Sequence, residues 1–112
     1  MSFIDYMLIE PKTDNVLGYV ELKNRTVSST MFPDLMIDHK KMVEIRKKAT
    51  FSGMPVYLAI RYTDRDLVYE YNPQHRFRIE HGGRTTNTRH AYDIKEVEYI
   101  PMKNFRLLEN IR

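Results

Sequence analysis

The sequence predicts an α/β (α+β) chain in which strands are grouped before and after a single helix. Three observations predict it. Runs rich in Val, Leu, Ile and Tyr at 16–25 and 56–71 have strand length and are bounded by Pro, Asp and Asn. Between them, residues 39–50 place apolar side chains at helical spacing. Eight Tyr and five Phe further favour sheet, where aromatic rings pack well on a pleated surface.

The first element is the apolar run Phe3–Glu10, interrupted by Asp5. Pro11–Asn15 follows and reads as a turn, because Pro, Asp and Asn pre-set or tolerate the required dihedrals. Gly18–Arg25 is the return strand. A five-residue loop sets Glu10 opposite Val16, Tyr6 opposite Val20 and Asp5 opposite Glu21. Directly opposed residues share a face, with Cβ atoms roughly 4.5–5.5 Å apart. Lys23 joins that face because side chains alternate with period two. A three-residue loop keeps this register, whereas a four-residue loop sends Asp5 to the other side.

Two carboxylates so close repel, so one must take up a proton or share a cation. Mg²⁺ suits them, since it takes one or two carboxylates together with waters and phosphate oxygens. A lysine beside it can position a water or stabilise charge developing on a phosphate. The plainer reading is an acid and a lysine on an exposed strand. Against it, the strand is apolar on both faces, with Leu17 and Tyr19 beside the charges and Val20 and Leu22 opposite. Charges there are costly unless paired.

Asp5 followed by Glu21-Leu22-Lys23 on the next strand resembles the PD-(D/E)xK nuclease superfamily. The resemblance covers about the first two-thirds of the chain. It implies a restriction-endonuclease-like mixed β-sheet with a flanking helix, and a small nuclease of phage or junction-resolvase type. On it, Asp5, Glu21 and Lys23 are catalytic. Asp5, Glu21 and the Leu22 carbonyl hold Mg²⁺, for which Mn²⁺ would substitute, and no organic cofactor is expected. The implied activity is metal-dependent hydrolysis of phosphodiester bonds in DNA, in phage DNA processing or recombination. The family's proline before the first acid is absent, as Ile4 precedes Asp5, and Pro33-Asp34 follows the acid-x-lysine instead of preceding it. The family's leading helix has no room before Phe3. The expectation is therefore a reduced version, or a partner chain or C-terminal element covering that side, and a homodimer.

Past Arg25, Thr26–Pro33 reads as a linker. Asp38 is the expected N-cap of a helix through Thr50 that stops before Gly53 and Pro55. Met42, Ile45 and Ala49 form its apolar stripe. His39 and Arg46 lie beside the stripe and are candidate nucleic-acid contacts; the alternatives are a satisfied, partly buried histidine and an arginine packing its stem. Lys40 joins them, although Lys40, Lys41, Lys47 and Lys48 also fit a solvated helix face. Arg25 is a phosphate candidate at the cleft rim.

Val56–Tyr62 and Leu67–Tyr71 read as a hairpin around Thr63–Asp66, and the unbroken apolar run Val56–Ile60 suits an interior strand. Phe77–His81 and Ile94–Ile100 are further strands. Gly82-Gly83 and the polar 84–90 form a basic loop whose Arg84 and Arg89 could track a backbone. Phe105–Leu108 is expected as a short helical turn.

The chain is expected to be one domain over 1–112, with a core over 1–72 and a β-rich C-terminal elaboration over 73–112. Zero Cys excludes disulfides and thiolate zinc sites. The four His have no zinc-site spacing. A net charge of +3 and a pI near 9.2 permit DNA as partner without demanding it. No membrane-spanning run or signal segment is visible, so the cytoplasm of a bacterium or phage-infected host is expected. The alternative function is a non-catalytic nucleic-acid-binding or phage assembly protein with a nuclease-like fold.

Overall fold

A computed structural model describes residues 6–82 and 95–108. The elements run β1 (Tyr6–Ile9), β2 (Val16–Asn24), β3 (Asp34–Asp38), α1 (His39–Ser52), β4 (Val56–Arg61), β5 (Asp66–Glu70), β6 (Arg78–Gly82), β7 (Lys95–Pro101), a 3-10 turn (Met102–Asn104) and β8 (Arg106–Leu107). They build a mixed sheet in the order β1-β2-β4-β5-β8 and a second sheet in the order β3-β7-β6. The fold is thus the mixed α/β arrangement that the sequence predicts, with one helix among the described residues.

β1 and β2 are antiparallel, with Tyr6 opposite Val20, Met7 opposite Tyr19 and Leu8 opposite Gly18. Up to that point the register is the predicted one. A bulge then intervenes and Ile9, not Glu10, faces Val16. One extra residue on β2 absorbs the difference next to the turn. Asp14 takes a left-handed φ of 59° there, a conformation Asp tolerates.

β4 is the interior strand, parallel to β2 and antiparallel to β5. Val56, Leu58, Ala59 and Ile60 are all buried, so both of its faces are shielded. A parallel pair needs a crossover, and β3 and α1 supply it. Gly18 permits the approach of the next turn. A Cβ there would sit 2.8 Å from the Pro55 carbonyl oxygen, the same oxygen that accepts from Tyr19 N–H at 2.9 Å.

α1 starts where Asp38 caps it, its Oδ1 accepting from Lys40 N–H at 2.9 Å. It ends at Gly53, left-handed with φ 67°, whose N–H bonds the Ala49 carbonyl. Met42 and Ile45 are buried against β3, β4 and β7. They join Leu35, Ile37, Leu58, Ile60, Tyr69 and Ile100 in one core between the two sheets.

Two element assignments change. Asp34–Asp38, given no element between the expected linker and helix, is a strand, because its alternate residues Leu35 and Ile37 are buried while Met36 is exposed. It pairs with β7, with Leu35 opposite Ile100 and Ile37 opposite Glu98. The helical turn comes earlier than expected, at Met102–Asn104, and Arg106–Leu107 extends the first sheet beside β5. Residues beyond position 73 therefore supply strands to both sheets and Ile100 to the core.

Candidate functional site

Glu21 and Lys23 project from β2 on the side that faces α1 and the core, the side Tyr19 shares. Leu22 projects the other way and is about half exposed, at 48 %. Glu21 is buried, only 4 % exposed, beside Leu58 of β4. A carboxylate in that position needs a cationic neighbour. Lys41 of α1 provides one, its Nζ 3.4 Å from Glu21 Oε2 and 3.6 Å from Glu44. Two turns along, Lys48 sets its ammonium 4.2 Å above the Tyr19 ring. Lys41 and Lys48 thus turn toward β2 and away from the solvated face expected of them, while Lys40 and Lys47 stay exposed.

Lys23 is partly buried, and its pKa lies below the ordinary lysine value of 10.5. Burial lowers it most, and the charges of Arg25 and Lys41 add to the effect. The carboxylates of Glu21 and Asp38 act in the opposite direction. Glu21, Lys23, Asp38 and Lys41 therefore form one electrostatic group at the junction of β2, β3 and α1. Asp38 and Lys41 are the members that the sequence reading missed. Asp38 was legible only as a helix cap, and Lys41 only as one lysine of a run.

Asp5, Arg84 and Arg89 lie outside the described residues. Tyr6, the neighbour of Asp5, stands opposite Val20, the neighbour of Glu21. Arg25 follows β2, and its guanidinium donates to the carbonyls of Asn24 and Met36, each at 3.2 Å. His39 and Arg46 come together around Glu98 of β7, which the sequence reading did not single out. His39 Nδ1 is 2.6 Å from Glu98 Oε2, and Arg46 donates to both carboxylate oxygens at 2.9 and 2.5 Å. The Glu98 side chain is fully buried. Burial pushes its pKa up, but the bonds from Arg46 and His39 and their charges outweigh burial and hold it below 4.5. The Arg46–Glu98 pair is bidentate, the strongest arrangement open to these groups.

Among the described residues, no three His, Asp or Glu side chains are grouped to hold a metal ion. The donor set there is one buried carboxylate, Glu21, with an ammonium beside it. This fits an ion that accepts few protein ligands and keeps water and phosphate oxygens, as Mg²⁺ does. It does not fit an all-protein zinc or calcium cage. Among the described residues, no helix is long and apolar enough to cross a membrane.

A family model described as "Phage putative PDDEXK endonuclease" matches residues 1–108. No curated protein and no solved structure matches the chain.

Proposed function

Since the chain belongs to the phage PDDEXK endonuclease family, we propose that it is a metal-dependent endonuclease cutting phosphodiester bonds in DNA. The observation that carries this reading is the pair on β2, a buried Glu21 carboxylate and a Lys23 ammonium of lowered pKa on one face. Acid-x-lysine is the arrangement the family shares. Extending the β1–β2 register by one residue would set Asp5 against Glu21. Asp5, Glu21 and the Leu22 carbonyl would then hold Mg²⁺, with Mn²⁺ able to replace it. A bound Mg²⁺ supplies charge stabilisation on the phosphate and a more acidic water.

The chain's own groups do the rest. Lys23 donates to a phosphate oxygen or to the attacking water, and its lowered pKa brings the neutral, proton-accepting form closer to working pH. Lys41 balances Glu21 and fixes the orientation of its carboxylate. Arg25 holds the neighbouring phosphate, with Lys40, Arg84 and Arg89 as further backbone contacts. His39 and Arg46 act mainly through Glu98, orienting the start of α1 on β7. We place the activity in phage DNA processing within the infected cell. A homodimer is part of the reading, as Tyr6 and Leu22 leave the β1–β2 end of the first sheet apolar and exposed.

A specific observation favours a second reading, a DNA-binding or phage assembly module without catalysis: Glu21 is buried against Lys41, as a structural ion pair would be. Nicking of supercoiled plasmid with and without Mg²⁺ separates the two. Metal-dependent nicks that vanish in Glu21→Ala and Lys23→Ala, with far-UV circular dichroism unchanged, support the enzyme. Salt-sensitive binding without strand breaks supports the module.

A further inference from the structure

Beyond the carboxyl end of β2 lies a cleft of about 470 Å³. Its walls include Arg25, Phe32, Asp34, Met36, Tyr62 and Tyr99. The volume falls in the roughly 300–1,000 Å³ range of sites that enclose small organic groups. The lining is mostly apolar and aromatic. Phe32 and Met36 are left 60 % and 45 % exposed, so burying them against a ligand would be favourable. The Arg78 guanidinium lies over the Tyr99 ring, 4.3 Å from its centroid.

The cleft continues the proposed cutting site. Lys23 and Arg25 lie two residues apart, about 7 Å along extended backbone, which is within the reach of one nucleotide. Arg25 is bonded to two carbonyls and, among the described residues, to no carboxylate. Its charge is therefore open to an anion at the mouth of an aromatic cleft. A phosphate on Arg25 would direct its attached base toward Phe32, Tyr62 and Tyr99. Asp34 is on the wall to accept from an exocyclic amine.

The geometry points to a nucleobase site: the cleft takes one unpaired base of the DNA, next to the phosphate that Lys23 serves. This rests on the proposed reading of Glu21 and Lys23 as the cutting site. It makes the substrate class DNA with an unstacked base beside the cut, as in a single strand, a flap or a junction. An intact duplex would need that base extruded, at a cost in lost stacking.

The test uses the full chain in EDTA, so that cutting plays no part, with oligonucleotides carrying 2-aminopurine, whose emission falls on stacking. Single-stranded probe should be quenched on binding and duplex probe should not. Phe32→Ala, at an exposed position that leaves the fold intact, should weaken single-strand binding about ten-fold, the usual loss for one base–aromatic stack. Met36→Ala should reduce the quench as well. An abasic site in place of the probe should weaken binding by a similar factor. Equal affinity for probe and abasic strands, or a quench indifferent to both substitutions, overturns the assignment even where plasmid nicking succeeds. If plasmid nicking fails while the Phe32-dependent quench holds, the base site stands and the cutting reading falls.

Discussion

Glu98→Ala removes the centre of the cluster that joins α1 to β7. Glu98 is fully buried and accepts three bonds, one from His39 and two from Arg46. Its loss leaves a guanidinium and an imidazole facing an empty apolar space. Removing one partner of a buried ion pair costs about 3–5 kcal/mol. Arg46 and His39 keep 32 % and 29 % of their side-chain surface, so water can partly rescue them. The low end, about 3 kcal/mol, is therefore expected. That is a large share of the roughly 5–15 kcal/mol that holds a typical domain folded. Urea unfolding followed by circular dichroism should show the midpoint falling by about 1–3 M. The melting temperature should drop by roughly 10–15 °C. Glu98 is held below its ordinary value of 4.5, so its contribution is complete above pH 4.5 and is lost as pH falls through the lowered value. Glu98→Gln should lack that acid-side loss. Arg46→Ala should destabilise too, and the double variant should show coupling of about 1–3 kcal/mol. A loss below about 1 kcal/mol in Glu98→Ala would refute the clamp. In that case Arg46 becomes a DNA contact again, and Arg46→Ala should weaken DNA binding without touching the melt.

The remaining predictions concern single groups. Lys23 binds its proton less tightly folded than unfolded, so wild-type stability should climb as pH rises toward 10.5; Lys23→Met should melt higher than wild type at pH 7 while losing about 10²–10⁴-fold in nicking, and a lower melt would show that the ammonium is stabilising. Gly18→Ala drives a methyl to 2.8 Å from the Pro55 oxygen and should cost about 1–3 kcal/mol in a thermal melt. Gly53→Ala meets open space, yet its φ of 67° should still cost about 1 kcal/mol, and a neutral Gly53 variant would show that the cap relaxes. Asp64 accepts from the Ser29 N–H at 2.9 Å and hydroxyl at 2.7 Å, bonds that lower its pKa to about 2. Its stabilisation should be complete above pH 3.8 and vanish as pH falls through about 2, so the acid limb of an unfolding profile should flatten in Asp64→Asn.

Local rules made much of this fold legible. The cap at Asp38 and the left-handed stop at Gly53 were readable because both are short-range chemistry. The unbroken apolar run at Val56 marked an interior strand because a strand shielded on both faces has no polar side to show. The parity that puts Glu21 with Lys23 follows from the pleat alone. β3 was not legible. Five residues with an acid at each end run straight from Pro33 into a helix, and their partner β7 is some sixty residues away. No local signal distinguishes such a strand from a linker. The bulge beside the turn escaped for a related reason, since it alters which residues pair without changing which are apolar.

The same division explains the site. Period two brings Glu21 and Lys23 to one face, but it is silent on what that face meets. Glu21 meets α1 through Lys41, and α1 packs on β3 and β7, in the sheet whose strand β3 the sequence concealed. Lys41 looked like one of several surface lysines until that packing fixed its direction. Glu98 drew no notice within the expected Ile94–Ile100 strand, and β7 carries it inward against α1. Both charges are therefore consequences of one unpredicted strand pairing. It follows that disrupting β3 at Leu35 or Ile37, each almost fully buried, should loosen the Lys41–Glu21 and Arg46–Glu98 pairs together, whereas an equally buried change on β5, such as Val68→Ala, should lower stability without moving Lys41 relative to Glu21.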